Sequence, residues 1–387
     1  MKIRETFLPY CRPFWDEDEK QETLAALESG WWSRGPKTAA FEKAMAEYVG
    51  AEHALALNSA TAGLHIGLAA AGIGPGDEVI TTPLTFCATV NTILEVGATP
   101  VFADIDGETG LIDPNEIERK ITPRTRAVVP VHYAGQVCDM DRIGALGKKH
   151  NLFILEDAAH AVSSTYKGKR VGGFGDAAVF SFYATKNLAT GEGGMLLTNN
   201  AELAETARLY SLHGMSSGAW NRYGKGGKWQ YDVVVPGFKY NTTDLASALG
   251  LAQLRKLDQM QKLRREYAEY YDARFASLPG IGRLAVAPDS GSSYHLYAIR
   301  IGEELSISRD EFIEALAARN IGTSVHFIPV HTFTLYRERM GTDWGDFPKA
   351  ETLSNQLISL PLYPSMTKED LEYVADAVEE IARAHQK

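Results

Sequence analysis

The stretch ILEDAAHAV (154–162), with GDAAVFSFYATKNLATGEGGMLLTNN (175–200) after it, decides how the chain folds. Two apolar runs, ILE and AAVFSF, give way to residues able to do chemistry. The first run ends on Glu156 and Asp157, with His160 three positions further on. The second leads through Tyr183 to Lys186, and a glycine-rich hairpin follows at Gly191-Glu192-Gly193-Gly194. Apolar strands that end on polar side chains are the pattern of a parallel sheet whose ligands sit beyond the carboxyl ends.

Working outward, the same rhythm begins at His53. HALALN, GDEVI, TPVFADI, RAVVPVHYAG and NLFILED read as strands, and small-residue or amphipathic helices lie between them. Asn58-Ser59, His132-Tyr133, Asp157 and His160 all fall at or just past strand ends. Two helices precede the sheet, one from Asp16 to Ser29 and one ending at Gly50. Trp31 and Trp32 between them fit a core, or else a pocket wall, since Ser33 and Arg34 follow in a turn. Segment 214–237 is rich in Gly, Trp and Tyr with little periodicity, and is expected to pack on a partner or a substrate. Asn241-Thr242-Thr243-Asp244 then caps a long helix running towards Ser277. Leu278-Pro279-Gly280 is the expected boundary, giving a large domain over 1–277 and a small α+β domain over 278–387. That second part should hold strands at YHLYAIRI (294–301) and GTSVHFI (322–328), with helices after Ser308 and Thr367.

Bulk properties narrow the function. The 387 residues suit two domains, and 45% hydrophobic with 23% charged residues is ordinary for a soluble protein. A net charge of −10 without a basic run disfavours nucleic acid and anionic membranes, so a phosphate-bearing ligand needs a local pocket of donors. Cys11, Cys87 and Cys138 are far apart, which argues against a disulfide framework or zinc site and fits a reducing cytoplasm. No signal-peptide core is evident, and no window reaches the ~20 apolar residues of a membrane span.

Lys186 could be a solvated loop lysine, but its flanks are small and apolar. A desolvated lysine has the lowered pKa that an imine-forming amine requires, which points to pyridoxal phosphate (PLP). Once freed by substrate, the same amine is the natural base for a 1,3-proton shift. Asp157, 29 positions earlier, suits the anion that keeps the pyridine nitrogen protonated; a helix-capping aspartate is the competing reading. Ser59-Ala60-Thr61-Ala62, where a strand turns into a helix, offers an anion site, and a plain N-cap explains Ser59 equally well. Ser181 can add a hydroxyl, and Phe86 can cover the ring or sit in the core. P-loop, HExxH, GxSxG and dinucleotide motifs are missing, and the histidines lack metal-helix spacing, so no metal is expected.

The runs FLPYCRP, ESGWWSRGP, NSATAGLHIGL, GATPVFADID, EDAAHAV, FSFYATKN, GEGG, PGFKYNTTD and IGTSVHF together resemble the DegT/DnrJ/EryC1/StrS sugar aminotransferases. ITPRTRAVVPVHYAG and IGTSVHF…HTFTLYRER look most like the subgroup that makes UDP-4-amino-4-deoxy-L-arabinose. The resemblance implies the fold-type I PLP-dependent transferase architecture: α/β, a mostly parallel sheet covered by helices, and a small C-terminal α+β domain. It implies Lys186 as Schiff-base lysine, Asp157 at the pyridinium, His160 near O3′, Phe86 on the ring, and Thr61, Ala62 and Ser181 at the phosphate. Asn241 would reach the phosphate of the other subunit's cofactor in a homodimer. The implied reaction moves an amino group from glutamate to a nucleotide-linked keto sugar, with Arg34, Tyr183, Arg222, His326 and His331 as substrate contacts. Those contacts read as surface or core residues equally well. Many relatives carry His at the position of Tyr183, and the close subgroup carries smaller residues at Trp32-Ser33-Arg34, which leaves the sugar open. A regulatory or sensory protein on the same fold, a 3-keto sugar substrate and a dehydration are the competing functions. Lysine rather than histidine at 186 argues against the family's dehydratases.

Overall fold

Five parallel strands set the frame, and the computed structural model describes them within residues 2–216 and 231–387. The strands in chain order are β1 (His53–Leu57), β2 (Glu78–Thr81), β3 (Thr99–Phe102), β4 (Thr125–Val129), β5 (Phe153–Asp157), β6 (Thr165–Tyr166), β7 (Lys169–Arg170), β8 (Ala177–Ser181) and β9 (Gly194–Thr198). Seven of them form one sheet in the order β1-β9-β8-β5-β4-β2-β3. The pairs from β3 through β2, β4 and β5 to β8 are parallel, whereas β9 runs antiparallel to both β8 and β1. β9 departs from the parallel pattern because it returns from β8 through a hairpin, with no crossover helix to reverse the chain. β4 ends at Val129, and beyond Pro130 the run RAVVPVHYAG stays against β5 through a parallel bridge between Val131 and Asp157.

Both faces of the sheet are buried, as the unbroken apolar runs require. Leu55, Leu57, Val79, Val129, Leu155 and Val179 share one core with α3 (Ala60–Ala70). Their neighbours Ala54, Ala56, Ile80, Val128, Ile154 and Phe180 point the other way into a second core. The N-terminal helices α1 (Glu17–Glu28) and α2 (Pro36–Val49) pack on α8 (Asp244–Phe275). Helices α4 (Cys87–Glu95), α5 (Pro114–Lys120), α6 (Met140–His150) and α7 (Ala201–Ser211) fill the crossovers and the flank. Asp16 starts α1 with a reciprocal capping box to Glu19, and Gly50, at φ 80°, closes α2.

Beyond α8, β10 (Ile281–Arg283), β12 (Tyr297–Ile301) and β13 (Leu357–Leu360) make a three-stranded antiparallel sheet. β11 (Ser290–Gly291) joins β6 and β7. Helices α9 (Arg309–Ala317), α10 (Thr334–Met340), α11 (Pro348–Gln356) and α12 (Lys368–Ala384) complete the chain. A third core unites Tyr271 and Phe275 of α8 with Ile299, Phe312, Leu360 and Val378. The strand expected at 322–328 does not form: Ile321 and Ser324 make only isolated bridges, to Leu8 and Ser359. Among the described residues no helix is long and apolar enough to cross a membrane.

Candidate active site

The loop between β8 and β9 is pinched at Phe182, whose N–H donates to Gly193 O and whose carbonyl accepts from Thr190 N. Lys186 lies in a turn closed by its own N–H to Tyr183 O, 2.8 Å. Its neighbour Asn187 is buried and anchors the turn, donating to Ser293 O at 2.7 Å and bonding His295 Nδ1 at 3.1 Å. The amine opens into a cavity of about 350 Å³ at the carboxyl ends of the strands. Burial pulls the Lys186 amine down from 10.5 to about 8, against smaller opposing effects of Asp157 and Cys11.

Asp157 ends β5 inside the same cavity and is 5% exposed. No helix follows it, so the capping alternative fails. Its Oδ2 accepts from Thr89 Oγ1 at 2.7 Å and its Oδ1 from Ala159 N at 3.2 Å. Burial raises its pKa, and the Thr89 hydroxyl, the Ala159 N–H and Lys186 push the other way. His160 stacks on Phe327, with centroids 5.8 Å apart, and lies 4.3 Å from the ring of His295. Burial and nearby Lys186 hold His160 well below the usual histidine range and bring His326 down to about 4, so both rings are neutral. His160 Nδ1 is buried without a partner among the described residues.

A strand-to-helix turn faces Lys186. Ser59 caps α3 by accepting from Ala62 N at 3.1 Å, and the N–H groups of Ala60 and Thr61 at the helix N-terminus have no partner among the described residues. Gly194 makes this approach possible: a Cβ there would sit 2.4 Å from Ser59 C and Ala60 N. Ser59, Thr61 and Ser181 line the cavity. Phe86 lines it too and is 60% exposed, so it is not a core residue.

The cavity therefore gathers Thr61, Phe86, Asp157, His160, Ser181, Tyr183, Lys186 and His326. Ala62 lies one step behind, its N–H spent on the Ser59 cap. Arg34 does not line the cavity; it pairs with Glu42 at 2.9 Å. His331 is buried against Phe347 and bonded to Glu351 at 3.1 Å, away from the cavity. Asn241 bridges Leu57 at the sheet edge, and its Oδ1 is buried without a partner among the described residues. Arg222 lies outside the described residues. Thr85, Thr89, Glu192, His295 and Phe327 line the cavity without having been singled out in the sequence. Only Thr89 left a signal, standing one helical turn from Phe86 at the start of α4.

An amine with lowered pKa, a buried carboxylate, a helix N-terminus with hydroxyls and an exposed aromatic face form the donor set that pyridoxal phosphate requires. Comparison with known proteins agrees with this chemistry. SpsC of Bacillus subtilis, a spore coat polysaccharide biosynthesis protein, is 54% identical over 382 residues, covering 98% of each chain. The structure of Spr1654 from Streptococcus pneumoniae in its PMP form superposes with a TM-score of 0.92 at 34% identity, covering 97% of this chain and 99% of that one. Helicobacter pylori PseC, an aminotransferase involved in the biosynthesis of pseudoaminic acid, gives 0.91 at 35% identity, covering 98% and 100%. A family model matches residues 13–379, and the chain belongs to the DegT/DnrJ/EryC1/StrS aminotransferase family.

Proposed function

We propose that the chain transfers an amino group from glutamate to the keto group of a nucleotide-linked sugar, a 4-keto sugar carried on UDP or dTDP, in the cytoplasm. The cofactor is pyridoxal phosphate. The observation that carries the reading is Lys186, an amine held at about 8 at the floor of the cavity that Asp157 shares. The sugar part is supported by relatives whose own roles lie in polysaccharide and pseudoaminic acid biosynthesis.

Bound pyridoxal phosphate supplies an electron sink next to the carbon that gains or loses the amino group. The protein does the rest. Lys186 would hold the cofactor covalently and, when displaced by substrate, move the proton between the two carbons as general base. Asp157 would keep a proton on the ring nitrogen. Ser181, Thr61 and the α3 N-terminus would hold the phosphate, Phe86 would cover the ring, and the neutral His160 would pack at its edge. Tyr183 and His326, which reach the cavity, are the favoured sugar contacts; Arg34 and His331 are committed to internal carboxylates. Asn241 would donate from its amide nitrogen to the phosphate of the partner's cofactor in a homodimer.

The loaded protein should form 2-oxoglutarate from glutamate, and an aminated product from at least one member of a panel of UDP- and dTDP-linked 3- and 4-keto sugars. Mass spectrometry of the products decides. Failure with every amino donor and every sugar would sink the reading.

A further inference from the structure

The short chain of hydroxyls behind Asp157 has a direction. Thr89 Oγ1 lies 2.7 Å from Asp157 Oδ2, and Thr85 Oγ1 lies 2.8 Å from Thr89 Oγ1. Thr85 and Thr89 are each 1% exposed, so water does not compete for these bonds. An ionised carboxylate only accepts, so Thr89 must spend its single proton on Asp157, and Thr85 must then donate to Thr89. A threonine inside a helix ordinarily turns its hydroxyl back to the carbonyl four residues earlier. Thr89 instead reaches from α4 to the end of β5, 68 positions along the chain.

We propose that Thr89, backed by Thr85, is a positioning residue that keeps Asp157 ionised and fixed in orientation for the ring nitrogen of the cofactor. The proposal rests on the pyridoxal phosphate reading of the cavity. Each donor in the relay polarises the next, so Thr85 strengthens the bond that Thr89 gives. Without the Thr89 proton, the buried carboxylate keeps, among the described residues, only the Ala159 N–H and draws a proton more readily, at the expense of the ring nitrogen.

The test is titration of the full-length chain with pyridoxal phosphate, with a second readout from the 15N signal of ring-labelled cofactor. Thr89→Val keeps the shape and removes the donor. It should weaken cofactor binding by about tenfold or more and move the nitrogen signal towards the unprotonated ring. Thr89→Ser should restore both, and Thr85→Val should shift the nitrogen signal the same way by less. A Thr89→Val chain that matches wild type in both readouts overturns the proposal, as does a Thr89→Ser chain that behaves like Thr89→Val. Should Thr89→Val not fold, a wild-type nitrogen signal in Thr85→Val overturns it. A wild-type chain that takes up no pyridoxal phosphate overturns the cofactor reading as well, which separates the two failures.

Discussion

Lys186 shows how much of a residue's chemistry its neighbours in the chain can reveal. Its small flanks and its place between a strand and a glycine hairpin announce a desolvated amine, and burial indeed brings it from 10.5 to about 8. The neutral amine is the reactive form. At pH 7 about a tenth of it is neutral, and each unit further down removes about another factor of ten. The rate at which cofactor-free protein captures pyridoxal phosphate should therefore rise about tenfold from pH 6 to pH 7 and level off above about pH 8. Stopped-flow absorbance checks this, and a rate still climbing about tenfold from pH 8 to pH 9 would show an ordinary solvated lysine. Asp157 was legible only in part. Its position at a strand end was visible, but a capping role fitted the local sequence just as well. What removes the capping role is that no helix follows Asp157, and its partner Thr89 reaches it from another element and leaves no mark in the residues around it. Arg34 and His331 show the same limit, because their partners Glu42 and Glu351 become visible only on folding.

At the scale of elements, Asp244 makes the clearest case. The run Asn241-Thr242-Thr243-Asp244 announces the start of α8, and Thr243 does cap it, accepting from Ala246 N at 3.2 Å. Asp244 caps a different helix. Gly35, at the N-terminus of α2, has no side chain to offer, and the Asp244 carboxylate accepts from Gly35 N at 2.7 Å, Lys37 N at 3.0 Å and Thr38 N at 2.9 Å. Local patterns fix where helices begin but not which distant side chain satisfies their free N–H groups. Asp244→Ala strands several buried donors, so urea denaturation should show a loss of about 3 kcal/mol, and a loss below about 0.5 kcal/mol would refute the capping role. Gly194 joins two elements by close approach. Gly194→Ala forces β9 off the Ser59-Ala60 turn and should cost about 1–3 kcal/mol, with weaker pyridoxal phosphate binding measured by titration. Unchanged binding would place the phosphate elsewhere. The missing strand at 322–328 has an equally physical reason: of that run, only Ser324 finds a ladder partner among the described residues, on β13.

Across the whole molecule, the parallel sheet was legible because strands buried on both faces must read as apolar runs, with helices between them. The antiparallel β9 followed from the hairpin that carries Lys186. The small domain at 278–387 remains a proposal: residues after 277 build the third core, yet Val330, Phe347 and Leu353 pack into the core of the large sheet. Assembly as a homodimer is a proposal carried by resemblance alone, and subunit mixing tests it. If Asn241 serves the partner's site, Lys186→Ala and Asn241→Ala chains, each inactive alone, should regain about a quarter of wild-type activity when refolded together, because half the dimers are mixed and each holds one intact site. No recovery would place Asn241 in its own subunit's site. The catalytic expectations depend on one covalent bond. Borohydride reduction of the pyridoxal phosphate-loaded protein, followed by peptide mass spectrometry, should place a phosphopyridoxyl group on Lys186 and none on the Lys186→Ala chain; the same label on another lysine, or an absorbance band that survives Lys186→Ala, would contradict the assignment.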